Sequence, residues 1–194
     1  MGKYTAAQKL RQYVQLGFLG TASFSIIALY RGDPKFYSNI VMPLSQRLID
    51  AENAHKLAIW AGKHRLLFSR RIKLEDEKIL ATNVFSIPFK NPIGLAAGFD
   101  KDAEAVNGLA NVGFGFVEVG SITPKPQPGN PQPRVFRLKE DEAVINRYGF
   151  NSGGHEAARC NLATTEKTEA VLGINLGKNK TSDDAVGDYI QGKN

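Results

Sequence analysis

Four stretches of this 194-residue chain carry residue types suited to chemistry, each near the end of an apolar run. Leu95-Ala96-Ala97-Gly98-Phe99-Asp100-Lys101 closes one run in small residues and then places a charged pair. Small residues at a strand end let a flat ring approach the backbone. A lysine at such a rim could hold an anion or tune a cofactor. A tight turn with a solvated lysine fits the same letters. Glu118-Val119-Gly120-Ser121-Ile122-Thr123-Pro124 closes a second run in Gly-Ser, which alone is equally consistent with a plain turn. Asn146-Arg147-Tyr148-Gly149-Phe150-Asn151-Ser152 sets two asparagines and two aromatics around a glycine. An amide offers both a donor and an acceptor, which suits an imide or a carboxylate; a hairpin exit with Asn151 or Ser152 capping a helix is the plainer reading. In Gly173-Ile174-Asn175-Leu176-Gly177-Lys178-Asn179-Lys180, Asn175 lies inside an apolar strand and must find partners on burial. A bound ring with carbonyl and N–H edges would supply them, as would backbone or water.

Other chemistries are excluded by spacing. His55, His64 and His155 show no metal-ligand spacing and Cys160 is the single cysteine, so neither a metal site nor an internal disulfide is expected. The glycine-rich stretches match neither a P-loop nor G-x-G-x-x-G, which removes nucleoside-triphosphate and Rossmann readings.

The elements that must position these residues fall in two regimes. From residue 83 onward, short apolar runs alternate with helical spacing. An edge hairpin is expected over Asn83–Lys90, interrupted by Pro88. Strands are expected at Ile93–Gly98, Phe116–Gly120 and Val171–Leu176, with a hairpin at 134–146. Helices are expected over Ala103–Val112 and Ser152–Glu166, and a last helix capped by Thr181 or Ser182. Strands alternating with helices argue for parallel βα units.

The head of the chain differs. The net charge is +6, yet residues 1–73 hold 12 Lys/Arg against 3 Asp/Glu. A basic head points to an anionic partner, nucleic acid or membrane lipid. No acid precedes Asp33, and Val14 to Tyr30 is an uncharged run of 17 residues closed by Arg31. That run is just short of a full hydrocarbon core. A secretory signal, a buried core helix, and a basic targeting leader running into an anchor compete; flanking charge and the absence of a clean cleavage site favour the leader and anchor. Membrane lipid is then the partner expected, not nucleic acid. The expected organisation is a leader and transmembrane anchor at 1–31, a helical hairpin at 33–68, a linker at 69–82 and a βα body at 83–194. Pro43 should shorten or kink the hairpin's first helix. The hairpin could pack on the body, or lie at a membrane interface with Lys56, Lys63 and Arg65 at headgroup level.

NPIGLAAGFDKDAEAVNGL, GFGFVEVGSITPKPQPGNPQPRVFRL, INRYGFNS and GINLGKNK, in this order and spacing, resemble the membrane-bound, quinone-linked dihydroorotate dehydrogenases. The resemblance also takes in the anchor, the FYSNIVMPLSQRLIDAENAHKLA hairpin and the linker. It implies a (β/α)8 barrel, here about its first three βα units, preceded by an anchor helix and a helical hairpin at the mitochondrial inner membrane. It implies FMN as cofactor, dihydroorotate and orotate as substrate and product, and ubiquinone as acceptor, in pyrimidine synthesis. By position, Ala96, Ala97, Gly98, Lys101, Ser121, Asn146 and Asn175 would contact FMN. Lys101, Asn146, Arg147, Tyr148, Gly149 and Phe150 would line the substrate pocket. Met42, Gln46, His55, Ala58, Phe99 and Arg137 would line the quinone tunnel. The family's base is a serine in an N-x-S-x-P-N-T run, and neither that run nor a later flavin-side lysine occurs in these residues. No catalytic residue is therefore assigned, and the chain is expected to be an inactive, incomplete copy exposing an unpaired sheet edge. A non-catalytic, membrane-anchored remnant is the competing function. A different FMN barrel is disfavoured by the INRYGFNS pocket, which fits a cyclic imide with a carboxylate.

Overall fold

The structure, a computed structural model, describes residues 4–68 and 74–193. The chain divides into two compact units, 1–45 and 46–194.

In the first unit, the basic leader and the uncharged run form one helix, α1 (Ala6–Arg31). Thr5 starts it with a capping box: its hydroxyl accepts from the Gln8 N–H while the Gln8 side chain accepts from the Thr5 N–H. Gly32, left-handed at φ 59°, ends it, and Arg31 in the last turn suits the helix dipole. By length and composition α1 could cross a membrane; its 26 residues span about 39 Å. Asp33 caps the short α2 (Pro34–Phe36), and the Phe24 and Phe36 rings meet edge to face at 6.0 Å. A π-turn, Tyr37–Val41, precedes α3 (Met42–Leu48). The wide turn lies just before Pro43, whose ring lacks an N–H and crowds the preceding turn. The expected kink thus takes the form of a π-turn.

In the second unit, Asp50 accepts from the N–H groups of Glu52 and Asn53 and starts α4 (Ala51–Lys63). The polar break expected at Asp50–Asn53 is therefore a cap and a first turn. Within the expected linker, 69–73 lie outside the described residues, while Leu74–Leu80 forms a short helix, α5. Strong helix formers, Leu, Glu and Lys, explain a helix where no apolar stripe signals one.

The edge hairpin is present as β1 (Thr82–Val84) and β2 (Ile87–Phe89), antiparallel, turned by Phe85 and Ser86 at positive φ. Three strands, β3 (Gly94–Leu95), β4 (Phe116–Ile122) and β7 (Val171–Leu176), form a parallel sheet in that order, with β4 central and most buried. The helix α6 (Val106–Val112) connects β3 to β4. An antiparallel hairpin, β5 (Val135–Leu138) with β6 (Ala143–Asn146), and then α7 (Gly154–Ala163) intervene before β7. The chain continues into α8 (Ala185–Lys193).

Three helix starts differ from expectation, and the first is α7, which begins at Gly154 and not Ser152, whose hydroxyl instead accepts from the Gly154 N–H ahead of the helix. Helix α6 begins at Val106, not Ala103, because the buried Asp100 carboxylate accepts from the Glu104 and Ala105 N–H groups and holds 101–105 as a loop. Helix α8 is capped by Asp184, whose carboxylate accepts from the Gly187 N–H; Ser182 instead donates to the Asp184 carbonyl.

The core of this unit joins Val106 and Leu109 of α6, Val117, Val119 and Ile122 of β4, and Ala158 of α7, with Ile59 of α4 and Phe99 against it. Helix α4 approaches α6 through glycines. A Cβ on Gly108 would lie 2.0 Å from the Gly62 carbonyl oxygen, and one on Gly62 would lie 2.8 Å from the Ala105 Cβ. Gly108→Ala is therefore expected to push α4 off α6 and lower stability by ~2 kcal/mol or more. Urea unfolding of the variant beside the parent measures it, and equal midpoints would contradict the close crossing.

Candidate functional site

The C-terminal ends of the three parallel strands form one polar rim. Register places Leu95 beside Val117, and Glu118 beside Gly173. Between Val119 and Ile122 the β4–β7 pairing shifts, as at a bulge. The Glu118 carboxylate joins the rim: it accepts from the Ala97 N–H and from the Asn175 amide, both at 3.3 Å. The Asn175 amide oxygen accepts from the Ser121 hydroxyl. The Gly98 N–H donates to the Gly120 carbonyl at 2.8 Å, and the Gly120 N–H to the Asp100 carbonyl at 2.9 Å. Gly98 sits at φ 109°, and a Cβ there would meet nothing within 4 Å. Open space thus lies over backbone beside amide and hydroxyl groups that keep unused hydrogen-bonding capacity. A flat heteroaromatic ring with polar edges fits such a rim.

The loop from Thr123 to Arg134 crosses this region, and three anchors shape it. Asn179, almost fully buried, accepts from the Lys125 N–H and donates to the Lys125 carbonyl and the Gln127 side chain. Gln127 and Ser152 exchange backbone hydrogen bonds at 3.0 Å. Arg134 makes the third anchor. Its Nε and Nη2 donate to the two Glu52 oxygens at 3.1 and 2.9 Å, and its Nη1 donates to the Pro128 and Asn130 carbonyls. Its guanidinium lies 5.0 Å from the centre of the Tyr148 ring. These hydrogen bonds hold the Glu52 carboxyl at about 2, against the opposing cost of burial.

Beneath this pair lies a cavity of about 390 Å³, lined by residues that include Glu52, His55, Trp60, Phe99, Lys101, Arg134 and Tyr148. The Lys101 ammonium stands 4.7 Å from the Tyr148 ring centre, with no hydrogen-bond acceptor among the described residues. Burial pushes it below the ordinary lysine range, reinforced by Arg134 and opposed by Asp102. Burial also raises the Tyr148 phenol. A second cavity, about 610 Å³, is lined by Asn130, Gly149, Phe150, Asn175 and Lys178 among others.

The sequence-expected residues therefore separate into groups. Ala97, Gly98, Ser121 and Asn175 meet on the strand rim, with Ala96 exposed beside them. Gly149 and Phe150 share a cavity with Asn175, whereas Lys101 and Tyr148 share the other with His55 and Phe99. Asn146 and Arg147 line neither. Asn146 is exposed at the end of β6, and the Arg147 guanidinium donates to the Pro133 carbonyl and lies over the Phe136 ring. Of the expected tunnel residues, His55 and Phe99 touch. Arg137 donates to the Ile49 and Gln46 carbonyls and so serves a helix end. Ala58 is half-buried on α4, and Met42 is exposed on α3. The cations considered for a membrane interface are paired: Lys56 with Glu52, Lys63 with Glu104, and Arg65 with Glu166.

Glu52, Arg134, Glu118 and Asn179 escaped the sequence reading. Only Glu118, a charge within the apolar FVEVG run, carried a signal that could have marked it.

Residues 79–194 match the family described as dihydroorotate dehydrogenase. A mitochondrial dihydroorotate dehydrogenase (quinone) of Mus musculus is 53% identical, over 83% of this chain and 42% of its own length. A dihydroorotate dehydrogenase (quinone) of Rhodopseudomonas palustris is 54% identical, over 74% of this chain and 39% of its own. A crystal structure of ligand-free DHODH from Eimeria tenella superposes with a TM-score of 0.65 at 44% identity, covering 74% of this chain and 41% of that one. The chain thus spans about two fifths of the length of the curated relatives it matches. The parallel sheet is a three-stranded arc of a (β/α)8 barrel, as expected, with the long apolar helix ahead of it in sequence.

Because the Glu52 carboxyl is depressed from about 4.5 to about 2, its pairing with Arg134 stabilises the fold fully above the upper value. That contribution is lost as pH falls toward the lower one. Glu52→Gln leaves Arg134 buried without its counter-charge and should cost roughly 3 kcal/mol at pH 7. Urea unfolding between pH 7 and pH 2 should show parent and variant converging in acid; a constant gap would rule the pair out as the cause.

Proposed function

Because this chain belongs to the dihydroorotate dehydrogenase family, we propose that it serves the oxidation of dihydroorotate to orotate, with FMN as cofactor and a membrane quinone as electron acceptor. The observation that carries this reading is the rim. Ala97, Ser121 and Asn175, from the ends of three neighbouring strands, are bonded together beside open space at Gly98. FMN, when bound, supplies the acceptor for the hydride that leaves the pyrimidine ring.

The chain's own residues bind and orient. Ala96, Ala97 and Gly98 offer backbone that a ring can approach closely. Ser121 and Asn175 offer donors and acceptors to its polar edge, and Asn146 joins the proposed set by the family resemblance. Lys101, with no hydrogen-bond acceptor among the described residues, suits a carboxylate of the pyrimidine. Gly149 and Phe150 adjoin Asn175 in one cavity, which supports a substrate site bordering the cofactor. Tyr148 and Arg147 complete the proposed substrate set from the same segment.

On the acceptor side, His55 and Phe99 form a touching pair, and the Arg137 guanidinium donates to the Gln46 carbonyl. With Ala58 they make up the proposed quinone route. Helix α1, long and apolar enough to cross a bilayer, supports anchoring at the mitochondrial inner membrane, as does the mitochondrial Mus musculus relative. Abstraction of the substrate proton falls to a serine in an N-x-S-x-P-N-T run, which these 194 residues do not contain. Turnover thus needs that segment in addition to the residues here.

The test is a chimera that joins this chain to the remaining C-terminal part of the Mus musculus relative. It should bind FMN and transfer electrons from dihydroorotate to a soluble quinone, while the 194-residue chain alone should not turn over. In the chimera, Lys101→Ala should lower kcat/KM by about 10- to 100-fold, the worth of one charged hydrogen bond. Asn175→Ala should weaken FMN binding by about 10-fold. A folded chimera that holds flavin yet leaves dihydroorotate untouched would overturn the reading.

A further inference from the structure

His55 makes two hydrogen bonds that together leave its ring one arrangement of protons. Its Nε2 lies 2.6 Å from the Phe99 carbonyl oxygen, which can only accept, so Nε2 carries the hydrogen. In the neutral ring Nδ1 is then the bare nitrogen, and it lies 3.0 Å from the Tyr148 hydroxyl, which donates to it. Turning the ring over would put carbon atoms against both oxygens. The His55 and Tyr148 rings also meet nearly edge to face, 6.0 Å apart, which limits rotation of either.

Tyr148 is in turn the group that meets Lys101. The ammonium lies 4.7 Å from its ring centre. Arg134 also lies near that ring, but its charge is balanced by Glu52 at 2.9 Å. Asp102 favours the Lys101 charge, but Lys101 has no bonded counter-ion among the described residues, so it is the cation whose balance a ligand can change. A cation over a phenol ring withdraws electron density from it and strengthens the O–H as a donor, so the Lys101 charge bears on the hydrogen bond that ends at His55.

We propose that Tyr148 is a positioning residue that donates to His55 Nδ1, reinforcing the Nε2–H form that the Phe99 carbonyl sets, and transmits to that nitrogen the charge state of Lys101. The significance rests on the function proposed above, in which Lys101 faces the pyrimidine carboxylate and His55 faces the quinone. A carboxylate that draws Lys101 away from the ring would weaken the phenol as a donor. The acceptor side would thereby sense occupancy of the substrate side through one hydrogen bond.

Nitrogen NMR of the 194-residue chain labelled at histidine tests this without flavin or substrate. The chain has three histidines, and His55 is the signal missing in His55→Gln. The parent should show His55 as a single Nε2–H tautomer. In Tyr148→Phe, which keeps the ring and removes the hydroxyl, Nδ1 should move to the position of a bare nitrogen without a donor while Nε2 stays protonated on the Phe99 carbonyl. Lys101→Met should shift Nδ1 in the parent and lose that shift when residue 148 is Phe. An unmoved Nδ1 in Tyr148→Phe would overturn the proposal, as would an equal Lys101→Met shift in both backgrounds. An inactive chimera would sink the proposed function and leave this measurement able to decide the role of Tyr148.

Discussion

The buried pairing of Arg134 with Glu52 is the contact on which the arrangement of this site depends. A guanidinium can be taken out of water only if its donors are met, and here two meet a carboxylate and a third meets two carbonyls of its own loop. The partners lie in three places: the first turn of α4, the loop at 128–130, and the face of Tyr148. One side chain therefore ties a helix outside the sheet to the loop that follows the central strand. Remove the charge on either partner and the other is left buried and unpaired, which is why the pair specifies geometry more than it adds net stability.

Close backbone approach supplies the second constraint. Helix α4 reaches α6 only because Gly62 and Gly108 bring no side chain to the crossing. That proximity sets His55 over Phe99 and gives the cavity its wall. At the rim the same principle works in the opposite sense. Gly98 faces open space, so the absent Cβ leaves room for a ligand and not for a neighbouring helix.

Charge is partitioned accordingly. The cations of α4 and its exit are answered by acids of the same unit, and such exposed pairs contribute little individually. Lys101 differs: burial disfavours its charge, Asp102 favours it, and its ammonium lies against an aromatic face with no ion pair among the described residues. A cation in a cavity without a bonded counter-ion marks a place where a ligand's charge completes the balance.

Local chemistry was legible in the residues themselves. The β1–β2 hairpin, the three apolar strands, the β5–β6 hairpin around 139–142, and the small-residue strand ends of LAAG and VGS follow from periodicity and turn composition, which act over a few neighbours. The four motifs identified the family because their letters and spacing are individually unusual. Helix starts were less legible: Asp100 and Asp184 compete as caps with nearby residues of similar chemistry, and geometry chooses among them. What only the tertiary structure decided is which residues meet. Glu52 and Arg134 lie far apart along the chain and look like ordinary surface charges, and Asn175 lies on a different strand from Glu118 and Ser121. Sequence position carries no record of such distances. Glu118 and Ser121 share β4 while Asn175 comes from β7, and their pairing follows from strand register, as that of Glu52 with Arg134 follows from the glycine crossing of α4 on α6 and the requirement that each buried polar group find a partner.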